Sequence, residues 1–241
     1  MRKKRGYKRE PELALLRDYK LFAIACEGGK REPEYFKTFR YISPRVAVDI
    51  IEDIVSDSEM TVVHDNKSAP KWVLDRAVKY IDKEGLSKED ELWFVMDKDR
   101  WSESQLREIA MYCEEYPNWH IVISNPCFEV WLYFHKNKEK PNPTISSCNN
   151  FKNALSTFTP GGYHPLKYIP DFMQAIDNAR ENDTSEEFFI PNLKETKVYE
   201  LGQVLIEFIG VSAFNIFIEN KLPKMIAAEL KKWKTKQKKT H

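Results

Sequence analysis

The sequence lacks a CxxC pair, a glycine-rich phosphate loop, histidines at metal-binding spacing and any apolar run of transmembrane length. Each gap closes off a class of function. Cys26, Cys113, Cys127 and Cys148 sit mostly within apolar stretches, which argues against a zinc site or a disulfide framework and reads as reduced core thiols. No GxxxxGK[ST] occurs, and Glu27-Gly28-Gly29-Lys30 is too short to cradle nucleotide phosphates, so ATP hydrolysis by this chain is not expected. His64, His120, His135, His164 and His241 show neither HxH nor HxxxH spacing and have no glycine-flanked serine or cysteine partner, so nucleophile-and-histidine catalysis is not indicated. Without a transmembrane run, and with charged first residues in place of an apolar signal core, the expectation is a cytoplasmic chain with no membrane partner.

What is present is an ordinary globular composition, 42% hydrophobic and 31% charged, so a folded core is expected over 241 residues. The formal net charge of +1 hides two basic ends. Arg2, Lys3, Lys4, Arg5, Lys8 and Arg9 crowd the start, and Lys231, Lys232, Lys234, Lys236, Lys238 and Lys239 crowd the finish. Such runs are usually solvated tails or helix faces; the alternative is contact with a phosphate backbone.

Between these ends, short apolar runs alternate with helical spacing. Leu21–Cys26, Val46–Ile51, Glu91–Met96 and Trp119–Ser124 read as strands. Helices are expected at Glu32–Phe39, with aromatics at 35, 36 and 39, at Ala69–Glu84, at Ser102–Tyr116 capped by Ser102, and at the aromatic-rich Cys127–His135. Alternation of this length implies a parallel sheet with helices on its faces, and such sheets bind ligands at the carboxyl ends of their strands. Beyond residue 136 the pattern becomes mainly α-helical, with segments at Asn149–Phe158, Pro170–Asn182, Lys197–Ile209 and Leu222–Trp233. The organisation read from this is a basic tail over 1–20, an α/β domain over 21–135 and a helical region with its own basic tail over 136–241.

The polar residues stand where the strands end: Glu27 after the first, Asp97 and Asp99 after the third, Asn125 after the fourth. Carboxylate oxygens suit hard cations such as magnesium or manganese, and acids two apart in an irregular turn can face one ion. One or two such ions activate water and stabilise the leaving oxygen of a phosphodiester, and Lys98 and Arg100 from the same turn are candidate phosphate contacts. A lone DxD is more often a turn or a helix cap, and an acid after a strand can simply cap the next helix. The pairing of both signals at strand ends favours a metal. In Asn125-Pro126-Cys127-Phe128-Glu129, an acid placed among aromatics is costly unless paired or metal-bound. Glu129 is therefore either a structural ion pair or a second-metal ligand or general base, and Asn125 either a cap or a substrate contact.

Three ordered segments, Ile24-Ala25-Cys26-Glu27-Gly28-Gly29-Lys30-Arg31-Glu32-Pro33-Glu34-Tyr35-Phe36, Phe94-Val95-Met96-Asp97-Lys98-Asp99-Arg100 and Ser124-Asn125-Pro126-Cys127-Phe128-Glu129-Val130-Trp131-Leu132, resemble the RloB-like family. Ile190 to Leu201 is similar to that family's closing motif, so the likeness spans most of residues 21 to 205. The family is linked to bacterial restriction and phage-defence loci and is similar to Toprim domains. The resemblance therefore implies a Toprim-like parallel sheet, a metal-binding DxD at Asp97 and Asp99, and an acid/base or metal-ligand role for Glu27. Glu129 would be an active-site residue. Where the family often carries a threonine in its first motif, this chain has Gly29-Lys30-Arg31 before Glu32, which makes Lys30 and Arg31 further candidate phosphate contacts. The expectation is a magnesium- or manganese-dependent nuclease on RNA, such as tRNA, or on DNA, acting in anti-phage defence or abortive infection. An AAA-type ATPase is the implied partner, and a homodimer stays open. Its rivals are a non-catalytic regulatory or nucleic-acid-binding subunit and phosphoryl transfer on a small nucleotide.

Overall fold

A computed structural model describes residues 19–51, 69–159, 162–186 and 189–229. Both basic ends of the chain, residues 2–9 and 231–239, lie outside the described residues. The first half alternates as its periodicity requires: β1 (Lys20–Cys26), α1 (Arg31–Lys37), β2 (Val46–Ile50), α2 (Pro70–Glu84), β3 (Glu91–Asp97), α3 (Glu103–Glu114), β4 (Trp119–Asn125) and α4 (Glu129–Phe134). Helix α3 starts where expected, because Ser102 and Gln105 form a reciprocal capping box that satisfies two orphan N–H groups.

Strands β1 to β4 pair in parallel in the order β2-β1-β3-β4. Side chains alternate along each strand, so Phe22, Ile24, Cys26, Trp93, Val95 and Val122 enter one core while Ala23, Ala25, Leu92, Phe94, Met96, Ile121 and Ile123 enter the other. Helices α2 and α3 cover the second face through Val73, Leu74, Ala77, Leu106 and Ile109. Helix α1 covers the first. The chain thus leaves β1 in one direction towards β2 and returns past it to β3, which places the topological switch point between β1 and β3.

The second half contributes α5 (Cys148–Phe158), α6 (Phe172–Asn182), β5 (Glu195–Thr196), α7 (Val198–Ile209) and α8 (Val211–Ile216). It is mainly helical, as its spacing predicts, and it shares the first core through Phe151, Phe172, Leu201, Leu205 and Phe214. One element departs from the sequence reading. The two-residue strand β5 adds an antiparallel edge beside β4, pairing Ser124 with Thr196 and Asn125 with Glu195. Two residues carry no periodicity, and what defines this strand is its partner, not its own sequence. The buried Glu195 is satisfied there by Lys140 Nζ at 2.5 Å, Thr184 Oγ1 at 2.6 Å and the Asn192 N–H at 3.1 Å.

Among the described residues no single helix is long and apolar enough to cross a membrane. The pair Val198–Ile209 and Val211–Glu229 reaches that length and composition only jointly, across a 91° bend. The buried side of the first of these helices packs into the protein core.

Helices α1 and α4 meet through aromatic rings. Tyr35 packs edge-on against Phe36, Phe128, Trp131 and His135. Burying each of Phe36, Phe39 and Phe128 is worth about 1.5–3 kcal/mol. His135 is fully enclosed; its Nδ1 donates to the Trp131 carbonyl at 2.9 Å, which leaves Nε2 to accept from the Tyr35 hydroxyl at 2.8 Å. Burial lowers this imidazole pKa to about 3. The unfolded chain takes up a proton near pH 6.5 that the folded chain refuses, so His135 costs stability as pH falls below that value. Chemical denaturation at pH 7 and pH 5 should show the stability advantage of wild type over His135→Gln shrinking by about 2 kcal/mol at the lower pH. An unchanged difference would mean that the imidazole is not held neutral.

Candidate active site

The C-terminal ends of β1 and β3, on either side of the switch point, carry the acids. Strand β1 ends in a turn, Glu27–Lys30, into α1, and the Glu27 N–H donates to the Val95 carbonyl at 2.9 Å. Its side chain crosses to the next strand: Oε2 accepts from the Asp97 N–H at 2.8 Å and Oε1 from the Trp101 indole at 2.7 Å. Asp97, the last residue of β3, accepts the Phe128 N–H on Oδ1 at 2.8 Å. The following turn is pinned by the same neighbour, with the Lys98 and Asp99 N–H groups donating to the Pro126 carbonyl at 3.1 and 3.0 Å. The Asn125-Pro126 peptide is cis. The three sequence segments are thereby joined by direct hydrogen bonds.

Crowding of like charges marks this place electrostatically. Burial pushes the Glu27 carboxyl up to about 7 against the pull of its two N–H donors, and Asp99 and Glu32 push the same way. Asp97 rises well above the usual carboxylate range, first through burial and then through Glu32, Glu27 and Asp99. Arg76 of α2 donates to the Cys26 carbonyl at the end of β1.

Glu32, which the sequence places only at the start of the first helix, belongs to this cluster. It is 7% exposed, its carboxyl is raised by burial, and a Cβ at Gly28 would collide with its carboxylate oxygens. The close approach explains a glycine at 28. A signal was present: Glu32 stands on the stripe formed by Tyr35, Phe36 and Phe39 at helical spacing, where an acid has no reason to be buried unless it is used.

The remaining candidates divide. Lys98, Asp99, Arg100 and Asn125 line one groove of about 850 Å3, together with Cys148 and Lys152 of α5. Lys30 and Arg31 line another, of about 690 Å3, with Tyr163 and Leu166. Arg31 forms an ion pair with the buried Glu129 and lies over the Tyr163 ring, whose hydroxyl donates to the Arg31 carbonyl. Asn125 donates its side-chain N–H to the Pro191 carbonyl at 2.9 Å, tying β4 to the segment before β5. Cys148 is half-buried, not a core thiol, and its Sγ–H donates to Asp99 Oδ2 at 3.2 Å. Trp101, Cys148 and Lys152 carry no local sequence signal; only folding brings them here.

Whether this set suits a divalent cation can be judged from its donors. Among the described residues no three His, Cys, Asp or Glu side chains stand ready to hold a metal ion, and both Glu27 oxygens and Asp97 Oδ1 are engaged by N–H groups. Asp97 Oδ2 and Asp99 Oδ1 accept no hydrogen bond from the described residues. Magnesium ordinarily takes one or two carboxylates and fills its other positions with water and substrate oxygens, so this pair of hard donors in a repulsive cluster fits it.

The fold and the site together define an α/β protein with an acidic centre at the switch point of a mostly parallel sheet. The chain belongs to the RloB-like protein family, whose model matches residues 22–205. No curated protein and no solved structure matches it.

The raised carboxyl of Asp97 has a consequence for stability. An acid whose folded pKa lies above its unfolded value destabilises the fold once the unfolded form ionises, so its neutral isostere relieves the strain while still accepting the Phe128 N–H. With chelator present at pH 7, Asp97→Asn should unfold about 2–4 °C higher than wild type, corresponding to roughly 1 kcal/mol. A lower melting temperature for the variant would mean that burial and the neighbouring acids do not raise the Asp97 carboxyl in the folded chain.

Proposed function

We propose that this protein is a magnesium- or manganese-dependent phosphodiesterase that cleaves nucleic acid, RNA or DNA, in bacterial defence against phage. The observation that carries the reading is the convergence of Glu27, Glu32, Asp97 and Asp99, where burial, and after it the charges of neighbouring acids, raise the carboxyls of Glu27 and Asp97, beside a groove that Lys98, Arg100 and Lys152 line. Family membership supports the defence setting and the Toprim-like character of the site.

In this reading Asp97 and Asp99 would hold the cation. When bound, the cation supplies Lewis acidity and charge neutralisation at the scissile phosphate. Glu27 is locked in place by the Asp97 N–H and the Trp101 indole, and burial raises its carboxyl, which suits it to take a proton from attacking water or return one to the leaving oxygen. Trp101 acts through Glu27 as a positioning residue. Arg31 neutralises Glu129, so Glu129 serves here to orient the start of α4 behind Asp97, in preference to acting as a base. Lys98 and Arg100 meet substrate phosphates from the DxD turn.

A second reading has one observation in its favour. The absence of a ready three-donor cation cage among the described residues suits a subunit that binds nucleic acid, or an AAA-type ATPase, without cutting. Incubating the purified chain with single- and double-stranded DNA and with tRNA, in magnesium, manganese or chelator, decides between them. Cleavage should require the metal and fall by at least about 100-fold in Asp97→Asn and Glu27→Gln. Metal-independent cutting, or cutting unchanged in both variants, would remove the acids from the mechanism.

A further inference from the structure

We propose that the groove between the Asp97–Arg100 turn and helix α5 binds the sugar-phosphate backbone of the substrate strand, with Lys152 and Arg100 as its phosphate contacts. The inference rests on the reading of the acids as a phosphodiesterase centre and extends it to the helical half of the chain.

Position comes first. Cys148 and Lys152 are four residues apart on α5 and therefore share a face. The Cys148 thiol touches Asp99, which turns that face towards the acids, and Lys152 is close enough to Glu32 to favour its charged form. The groove of about 850 Å3 lies between this helix and the DxD turn, with Asn125 and Pro191 also on its wall.

Charge comes second. Lys152 is exposed and makes no hydrogen bond or ion pair with the described residues. Arg100 is 72% exposed on its side chain and reaches only its neighbour Asp99, at 3.9 Å. Lys98 spends one donor on the Trp101 carbonyl at 3.2 Å and keeps the others. Exposed cations at the rim of an acidic centre suit a repeating anion: one phosphate lies at the acids while its neighbours along the strand meet Lys152 and Arg100. A ligand with a single anionic group would leave the other cations of the lining unused.

The lining also says what is read. Among the described residues it contains three cations, Lys98, Arg100 and Lys152, against two acids, Asp99 and Glu103, with asparagine and serine side chains and no aromatic ring, so these residues offer no stacking platform for bases. Contacts here are to phosphate and sugar, which position a strand without reading its sequence. Recognition at this face should be insensitive to sequence and steeply dependent on salt.

The test separates binding from cleavage. Anisotropy of a fluorescein-labelled single strand of about 20 nucleotides, in chelator and between about 50 and 200 mM salt, gives affinity and its salt slope. Both side chains are exposed, and circular dichroism checks that the Lys152→Gln/Arg100→Gln double variant folds. That variant should bind about tenfold more weakly, with the slope reduced by about one to one and a half, for two strands of unrelated sequence alike. Wild-type affinity and slope in the double variant, no binding by wild type, or strong preference for one sequence lost on substitution would each overturn the proposal. If wild type cleaves yet the double variant binds normally, the groove assignment falls and the phosphodiesterase reading stands. If nothing cleaves while the double variant loses binding, the reverse holds.

Discussion

Everything at this site depends on how buried carboxylates are kept in place. An acid taken out of water needs donors, and here they are backbone N–H groups offered by the neighbouring segment: the Asp97 N–H for Glu27 and the Phe128 N–H for Asp97. Each acid is thus positioned by the start of the next motif. The result is a relay from β1 to β3 to the turn before α4, so that displacing one strand end releases the acid of the one before it. The Trp101 indole closes the relay on the solvent side.

That relay is stiffened from behind by aromatic packing. Tyr35 of α1 sits against Phe128 and Trp131, and its hydroxyl is engaged by His135 at the end of α4. The first and third motifs are therefore joined twice, by hydrogen bonds in front and by rings behind. Rigidity of this kind lets acids remain close together although their charges repel, and the stability lost to that repulsion is offset elsewhere in the core. The shifts of Glu27 and Asp97 are the electrostatic trace of that arrangement.

The helical half of the chain is part of this machinery. Its strand β5 extends the sheet beside β4, its apolar faces fill the core that α1 and α4 open, and α5 brings Cys148 and Lys152 to the wall facing the DxD turn. Without α5 packed beside the sheet, that groove would be one-sided. Membership of the RloB-like family over residues 22–205 spans both halves, as the shared core does.

Local pattern determined a good deal by itself. Short continuous apolar runs defined β1 to β4 and helical spacing most of α1 to α7, because a strand buried on both faces and a helix buried on one each leave their mark within the segment itself. The strand-end positions of Glu27, Asp97, Asp99 and Asn125 followed from the same pattern. What it left open was every relation between segments distant along the chain. That Arg31 pairs with Glu129, that Glu32 turns inward beside Gly28, that both oxygens of Glu27 are spoken for, and that β5 exists at all became decidable only in three dimensions. The physical reason is that a charge's partner and a short strand's ladder are set by proximity across the fold, and proximity of that kind leaves no periodic mark in either segment.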